Sequence, residues 1–92
     1  MAPKRTDSNQ ASIVAALRDF GASVTCTHKV GQGYPDLSVG WRDKVYLMEV
    51  KMPGEPLNER EHKWHQEWKG DHYIVHTIDE AVNILMDAED DG

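Results

Sequence analysis

Hydrophobic and polar positions divide the chain into segments of helical and of strand character. Three segments combine helical spacing of apolar residues with capping signals at their ends: residues 7–20, 58–69 and 77–85. Four shorter and denser apolar runs predict strands: residues 23–28, 37–39, 45–50 and 72–76. The order α, β, β, β, α, β, α predicts an α/β protein with a mixed four-stranded sheet covered by helices.

The third predicted strand ends in charged residues that share one face. Residues 45–48 are apolar at consecutive positions, which is typical of a central strand covered on both sides. Side chains two apart on a strand point the same way, so Glu49 and Lys51 project together while Val50 points to the interior. The pattern therefore predicts a carboxylate and an ammonium on one surface at the end of a buried strand.

A second carboxylate is expected beside this pair. Residues 40–43 predict a four-residue connection between the second and third strands, and the resulting hairpin would bring Asp36 towards Glu49. Pro35 stiffens the backbone that enters Asp36. Two carboxylates with the backbone carbonyl of Val50 form an incomplete oxygen shell of the kind that binds Mg²⁺. Lys51 would then face the attacking water or a phosphate, whereas the alternative reading is a solvated surface ion pair.

These residues resemble a known signature. Pro35-Asp36 followed by Glu49-Val50-Lys51 resembles the PD-(D/E)XK nuclease superfamily. Residues 33–37 with 48–51 are similar to the small stand-alone VRR-NUC (virus-type replication-repair nuclease) domains of phages, over about residues 7–85. The resemblance implies a restriction-endonuclease-like αβββαβα core and a DNA endonuclease dependent on Mg²⁺ or Mn²⁺. It also implies catalytic roles for Asp36, Glu49 and Lys51, with Asp36, Glu49 and the Val50 carbonyl as metal ligands.

The chain departs from the family pattern at two places. The first helix of many superfamily members supplies a glutamate to the site, but this stretch offers Asn9, Gln10 and Ser12, so the contribution is absent or made by an amide. In the family that this chain resembles, the helix after the motif carries a glutamine in a frame resembling Leu-x-x-x-x-Gln-x-x-Trp. Residues 57–64 are similar to that frame with His62 at the glutamine position, so His62 is predicted as a fourth catalytic residue.

Resemblance to Holliday-junction resolvases implies a homodimer that cuts branched DNA. The alternatives are a non-specific nicking nuclease, a metal-dependent DNA-binding module without turnover, or a subunit that needs a partner. Four polar residues near the motif are predicted DNA contacts: Lys29, Gln32, Arg60 and Lys63. We expect no organic cofactor and no membrane partner, and a cytoplasmic location, in the host cell if the protein is phage-encoded.

Length, composition and charge predict the domain boundaries. The 92 residues predict one domain, and no apolar run approaches the roughly 20 residues of a membrane span. We expect a flexible basic arm in residues 1–6, the nuclease-like domain in residues 7–86, and a disordered acidic tail in residues 87–92. A net charge of −6 argues against DNA binding, but the tail holds four of the acids and leaves a net −2 on the rest.

Three other residue types have less specific interpretations. The single Cys26 is expected to be buried and inert. Trp64 and Trp68 share one helical face and are interpreted as core or dimer-interface residues, with stacking on DNA bases as the alternative. The spacing of the histidines matches no closed zinc site.

Overall fold

The structure is a computed structural model that describes residues 5–90, with side chains described for residues 9–88. The elements in chain order are α1 Arg5–Phe20, β1 Ser23–Cys26, a short 3-10 helix His28–Val30, β2 Leu37–Trp41, β3 Lys44–Val50, α2 Glu59–Glu67, β4 Tyr73–Val75 and α3 Ile78–Asp90. This confirms the predicted αβββαβα order. Within residues 5–90, none of the helices has both the length and the apolar character that crossing a membrane requires.

The four strands form one mixed sheet, as predicted, and the structure shows their order in the sheet to be β1-β2-β3-β4. β1, β2 and β3 are antiparallel neighbours, and β4 returns parallel to β3 after the α2 crossover. β3 is therefore paired on both sides, and its residues 46–50 are all buried. The apolar run in the sequence correctly indicated a central strand.

The hydrophobic core lies on the face of the sheet covered by α1 and α3. β3 contributes alternate side chains to it, Tyr46, Met48 and Val50. The helices contribute residues at helical spacing: Ile13, Val14 and Leu17 from α1, and Ala81 and Leu85 from α3. Since neighbouring strand residues face opposite sides, Glu49 and Lys51 project from the other face, as the pattern predicted.

The connection between β2 and β3 is shorter than predicted. The strands continue to the pair Trp41 and Lys44, so the turn consists of Arg42 and Asp43 rather than four residues. Both turn residues have positive φ, 51° and 67°, which is the geometry of a type I′ turn. This turn matches the right-handed twist of the paired strands, so the ladder extends further than the hydrophobic run alone suggests.

Both terminal helices extend beyond the predicted boundaries. α1 begins at Arg5, because no proline or glycine interrupts the chain from there to Phe20. α3 continues to Asp90, and Ala88 packs against the core within the segment expected to be a disordered tail. Residues 5–6 and 87–90 are therefore helical. The predictions for residues 1–4 and 91–92 lie outside the described residues.

The prediction that Cys26 is buried was wrong, because Cys26 is exposed. β1 is an edge strand that pairs with β2 and contributes Val24 to the core. Cys26 ends this strand and lines a surface pocket beside α1. Cys26 lies two residues after Val24 and on the same face of the strand, but at the strand end this face borders the surface pocket rather than the closed core.

Candidate functional site

The loop that enters β2 holds Asp36 in a fixed position. The backbone N–H of Thr27 donates to the Asp36 carbonyl at 2.7 Å, and the Thr27 hydroxyl donates to the Pro35 carbonyl at 2.8 Å. The Asp36 carboxylate reaches the end of β3, where its Oδ2 accepts from the Val50 N–H at 2.9 Å. The register, with Leu37 opposite Met48, brings Asp36 to Glu49 as the hairpin argument predicted.

A pocket of about 240 Å³ opens at this end of the sheet. It is lined by Gln10, His28, Asp36, Glu49, Val50, Lys51 and Glu61. Four of the predicted site residues therefore meet in one place: Asp36, Glu49, Val50 and Lys51. The Val50 side chain lies in the core on the opposite face, so its backbone is what faces the pocket.

The buried carboxyl of Glu49 and the half-buried carboxyl of Asp36 form a pair. Burial, followed by the charges of Asp36 and Glu61, raises the pKa of Glu49 to about 9. Burial also raises the pKa of Asp36, although its hydrogen bond from the Val50 N–H acts in the opposite direction. The pair therefore retains a proton at neutral pH when no cation is bound.

Lys51 lies among three carboxylates. Its Nζ is 2.7 Å from Glu61 Oε1, 3.6 Å from Glu55 Oε2 and 3.8 Å from Glu49 Oε2. Burial disfavours the ammonium, but the hydrogen bond and charge of Glu61 outweigh it, so the pKa of Lys51 is raised. Burial likewise acts to raise the pKa of Glu61, and the hydrogen bond from Lys51 outweighs it and lowers that pKa. Both groups are therefore charged at neutral pH, and Lys51 is a fixed cation at the edge of the pocket.

Glu61 is the site residue that the sequence reasoning missed. Its carboxylate completes the capping box at the start of α2, with the Asn58 N–H donating to Glu61 Oε1 at 2.9 Å. The same carboxylate also pairs with Lys51. His62, which was predicted to be catalytic, is exposed and does not line the pocket, because one helical residue turns the side chain by about 100°. In the family frame the glutamine stands three positions before the tryptophan. Counted back from Trp64, that position is Glu61, whereas counting forward from Leu57 gives His62.

Gly33 allows α2 to approach the loop before Asp36. Its φ is +82°, and a Cβ there would overlap the Arg60 carbonyl oxygen and lie 3.0 Å from the Glu61 nitrogen. Gly33 thus admits the first turn of α2, whereas Gly31 has open space around it. This close approach places Glu61 beside Lys51.

The first helix contributes amides, which is one of the two alternatives left open by the sequence. Gln10 lines the pocket, and Asn9 Nδ2 donates to the carbonyls of Lys51 at 3.4 Å and His76 at 3.5 Å. Ser12 is exposed. His28, from the 3-10 helix, also lines the pocket, and no sequence signal pointed to it.

The four predicted DNA contacts lie on two segments that border the pocket. Lys29 and Gln32 belong to the 3-10 helix and the turn that follows it, whereas Arg60 and Lys63 belong to α2. All four are exposed. Their contact with DNA stays a prediction.

Trp64 and Trp68 are not core residues. Their rings stack at 4.6 Å, and Trp68 is 40% exposed. The fold also brings His65 and His72 together, with their Nδ1 atoms 2.7 Å apart. Across the described residues, no group of three or more His, Cys, Asp or Glu side chains is arranged to hold a metal ion.

The pocket nevertheless fits a hard divalent cation with an incomplete protein shell. Two carboxylates and a backbone carbonyl supply oxygen alone, which suits Mg²⁺ or Mn²⁺ ions that retain water ligands. Glu49 Oε1 is buried and has no hydrogen-bond partner among the described residues. A buried carboxylate oxygen without a partner is costly, and a bound cation would satisfy it.

Comparison with solved structures matches this chain to one described as a VRR_NUC domain. The TM-score is 0.74 with 16% sequence identity, and the match covers 91% of this chain and 97% of that chain. No family model matches the sequence, and no curated protein matches it. This protein therefore has the fold of a VRR_NUC domain, as the resemblance of its motif implied.

Proposed function

We propose that this protein is a divalent-metal-dependent nuclease that hydrolyses DNA phosphodiester bonds. The observation that carries the proposal is the pocket in which a charged lysine lies beside two carboxyl groups, the half-buried Asp36 and the buried Glu49, whose Oε1 has no partner among the described residues. The VRR_NUC fold supports it, because the matched structure is described as a VRR_NUC domain, a name that denotes a nuclease. Lys51, Asp36 and Glu49 are the residue types that phosphodiester hydrolysis requires at such a site.

Asp36, Glu49 and the Val50 carbonyl hold Mg²⁺ or Mn²⁺ in this proposal. Such an ion polarises the phosphate and lowers the pKa of a water molecule towards neutrality. Glu49 must lose its proton to become a ligand, so cation binding and deprotonation are coupled.

Lys51 orients the attacking water and donates to a phosphate oxygen as negative charge develops on it. The water oxygen would form the new bond to phosphorus and release its proton to solvent, while the bond to the leaving ester oxygen breaks and that oxygen takes up a proton from solvent. Lys51 must stay charged and fixed for this role, and its 2.7 Å contact with Glu61 serves both needs. Glu61 is thus a positioning residue that acts through Lys51.

The proposal includes a homodimer acting on branched DNA. Cutting both strands of a junction takes two sites, and a chain of 92 residues supplies one pocket of this kind among its described residues. Two copies related by a two-fold axis would present two such pockets to paired strands.

A second candidate is a metal-dependent DNA-binding module without turnover. Two observations favour it. Three carboxylates surround Lys51, and the first helix presents Gln10 rather than a glutamate to the pocket.

A cleavage assay distinguishes the two candidates. Labelled four-way junction, splayed and linear duplex DNA are incubated with Mg²⁺, Mn²⁺ or EDTA, using wild type, Asp36→Ala and, as a matched control, the exposed Asp19→Ala. We expect metal-dependent cutting that Asp36→Ala abolishes and Asp19→Ala retains. DNA binding in Ca²⁺ without cutting in Mg²⁺ or Mn²⁺ would refute the nuclease and support the binding module.

A further inference from the structure

An aromatic cluster lies beside the pocket and outside the hydrophobic core. It consists of Tyr34, Trp64, His65, Trp68 and His72. Trp64 is its centre, with ring centroids 5.5 Å from Tyr34, 5.1 Å from His65, 5.8 Å from His72 and 4.6 Å from Trp68. None of the five residues belongs to the hydrophobic core or to the partly buried residues packed against it.

Trp68 is held rigidly yet remains accessible. Its ring stacks on Trp64 with planes 19° apart, and Tyr34 meets it edge-on at 6.3 Å. A Cβ at Gly70 would come within 2.9 Å of the Trp68 indole nitrogen, so the absence of a side chain there lets the backbone close against the ring. Trp64 covers one face of the indole, and 40% of Trp68 remains exposed. Part of a fixed indole is therefore open to solvent.

The cluster and the pocket are built from the same two segments. Tyr34 and Asp36 flank the buried Pro35, and two residues of chain span at most about 7 Å. On α2, Trp64 follows Glu61 by three positions, so both lie on neighbouring turns of one side of the helix. A nucleotide adjoining a phosphate in the pocket is thus within reach of the cluster.

We propose that Trp68 stacks on an unpaired base of the DNA strand whose phosphate occupies the pocket. The inference rests on the proposed nuclease function and specifies its substrate class, which is DNA with single-stranded nucleotides next to the cleaved bond. A base inside a continuous duplex already has two stacking neighbours and cannot offer a face to Trp68. Aromatic side chains bind single strands in this way without reading sequence.

The surroundings of Trp68 favour a DNA base, rather than a second copy of the chain, as its binding partner. Its neighbours along the chain are charged, with Glu67 before it and Lys69 and Asp71 after it, all exposed. A stable dimer interface buries about 800 Å² per partner with an apolar centre. A single stacking ring needs no such patch. Because the flanking charges are of both signs, the contact depends on stacking rather than on a basic field.

The test measures binding without turnover. Fluorescence anisotropy in Ca²⁺ compares labelled single-stranded, splayed and blunt duplex DNA with wild type, Trp68→Ala and Trp68→Phe. Met86→Ala, another exposed apolar residue, is the matched control. We expect Trp68→Ala to weaken binding of single-stranded and splayed DNA by about tenfold and to leave blunt duplex binding unchanged. Trp68→Phe should recover most of the lost affinity. The difference in affinity between wild type and Trp68→Ala should persist when salt is raised.

Equal losses on all three DNAs, or no loss on any, would overturn the stacking proposal. A change in sedimentation mass caused by Trp68→Ala would also overturn it, because Trp68 would then be a subunit contact. The proposed nuclease is judged separately by cleavage: selective binding without cutting refutes the nuclease alone, and cutting without selective binding refutes the stacking alone.

Discussion

The buried carboxyl of Glu49 predicts that the metal-free protein loses stability as pH rises. Its pKa is raised from 4.5 to about 9, first by burial and then by the charges of Asp36 and Glu61. Between these values the folded chain keeps a proton that the unfolded chain has lost. Protons therefore favour the folded state, and the free energy of unfolding falls with increasing pH across this range.

One retained proton sets the size of the effect. The slope approaches about 1.4 kcal/mol per pH unit, and in a domain of this size it lowers Tm by about 6–11 °C per unit. The raised pKa of Asp36 acts in the same direction. Glu49→Gln removes the titrating group while keeping its shape, so the slope should become nearly flat.

The range from pH 7 to 8.5 isolates this effect. Burial, followed by the charge of His72, lowers the pKa of His65 from 6.5, so His65 adds an opposite slope below that value. Lys51 has a pKa raised above 10.5, and Glu61 has one lowered below 4.5, so neither titrates in the range. Thermal unfolding followed by circular dichroism in EDTA gives Tm at each pH.

Glu67→Gln, at the exposed end of α2, is the matched control and should keep the wild-type slope. Saturating Mn²⁺ should flatten the wild-type slope, because the metal-bound folded chain, like the unfolded chain, holds no proton at Glu49 in this range. A wild-type Tm that is constant or rises in EDTA, or an unchanged slope in Glu49→Gln, would refute the reasoning.

Gly33→Ala should lower the free energy of unfolding by about 2–4 kcal/mol, because its Cβ would overlap the Arg60 carbonyl oxygen at a positive φ. Gly54→Ala, which has φ +84° but open space, should lose only about 1 kcal/mol, and similar losses in urea denaturation would count against the close approach. Glu61→Ala should lower the free energy of unfolding by about 2–3 kcal/mol, because it removes both the helix cap and the ion pair with Lys51. Glu61→Gln keeps an oxygen that accepts from the Asn58 N–H and should lose only about 1–2 kcal/mol. Equal losses in urea denaturation would contradict the combined capping and ion-pair role of Glu61. Lys51→Met should reduce kcat for DNA cleavage at least a hundredfold with Mn²⁺ affinity kept, and wild-type cleavage would exclude Lys51 from the chemistry.

The sequence was informative where hydrophobic burial determines the side of the sheet to which a side chain points. The run before Glu49 is apolar at every position, so β3 had to be central, and the period of two then fixed the side to which Glu49 and Lys51 point. Asp36 followed from the hairpin register, although the turn itself is two residues shorter than expected. These inferences needed strand geometry and no knowledge of α2.

The sequence was misleading where a helix had to be positioned against a loop. Whether residue 61 or 62 of α2 reaches the pocket depends on the rotation of that helix, which the Gly33 contact with Arg60 determines. Glu61 also had a sufficient local explanation as a capping residue, which concealed its contact with Lys51. The pairing of His65 with His72 joins α2 to the residue before β4, and residue spacing alone does not reveal it.

The most direct test of the metal centre is a calorimetric titration of Mn²⁺ into wild type and Asp36→Asn. Asp36→Asn removes one charged ligand while the side chain keeps an oxygen that can accept from the Val50 N–H. We predict at least one Mn²⁺ bound per wild-type chain at pH 8, with affinity at least tenfold weaker in the variant. Equal affinity in the two proteins, or no binding by wild type, would contradict a metal centre at Asp36 and Glu49.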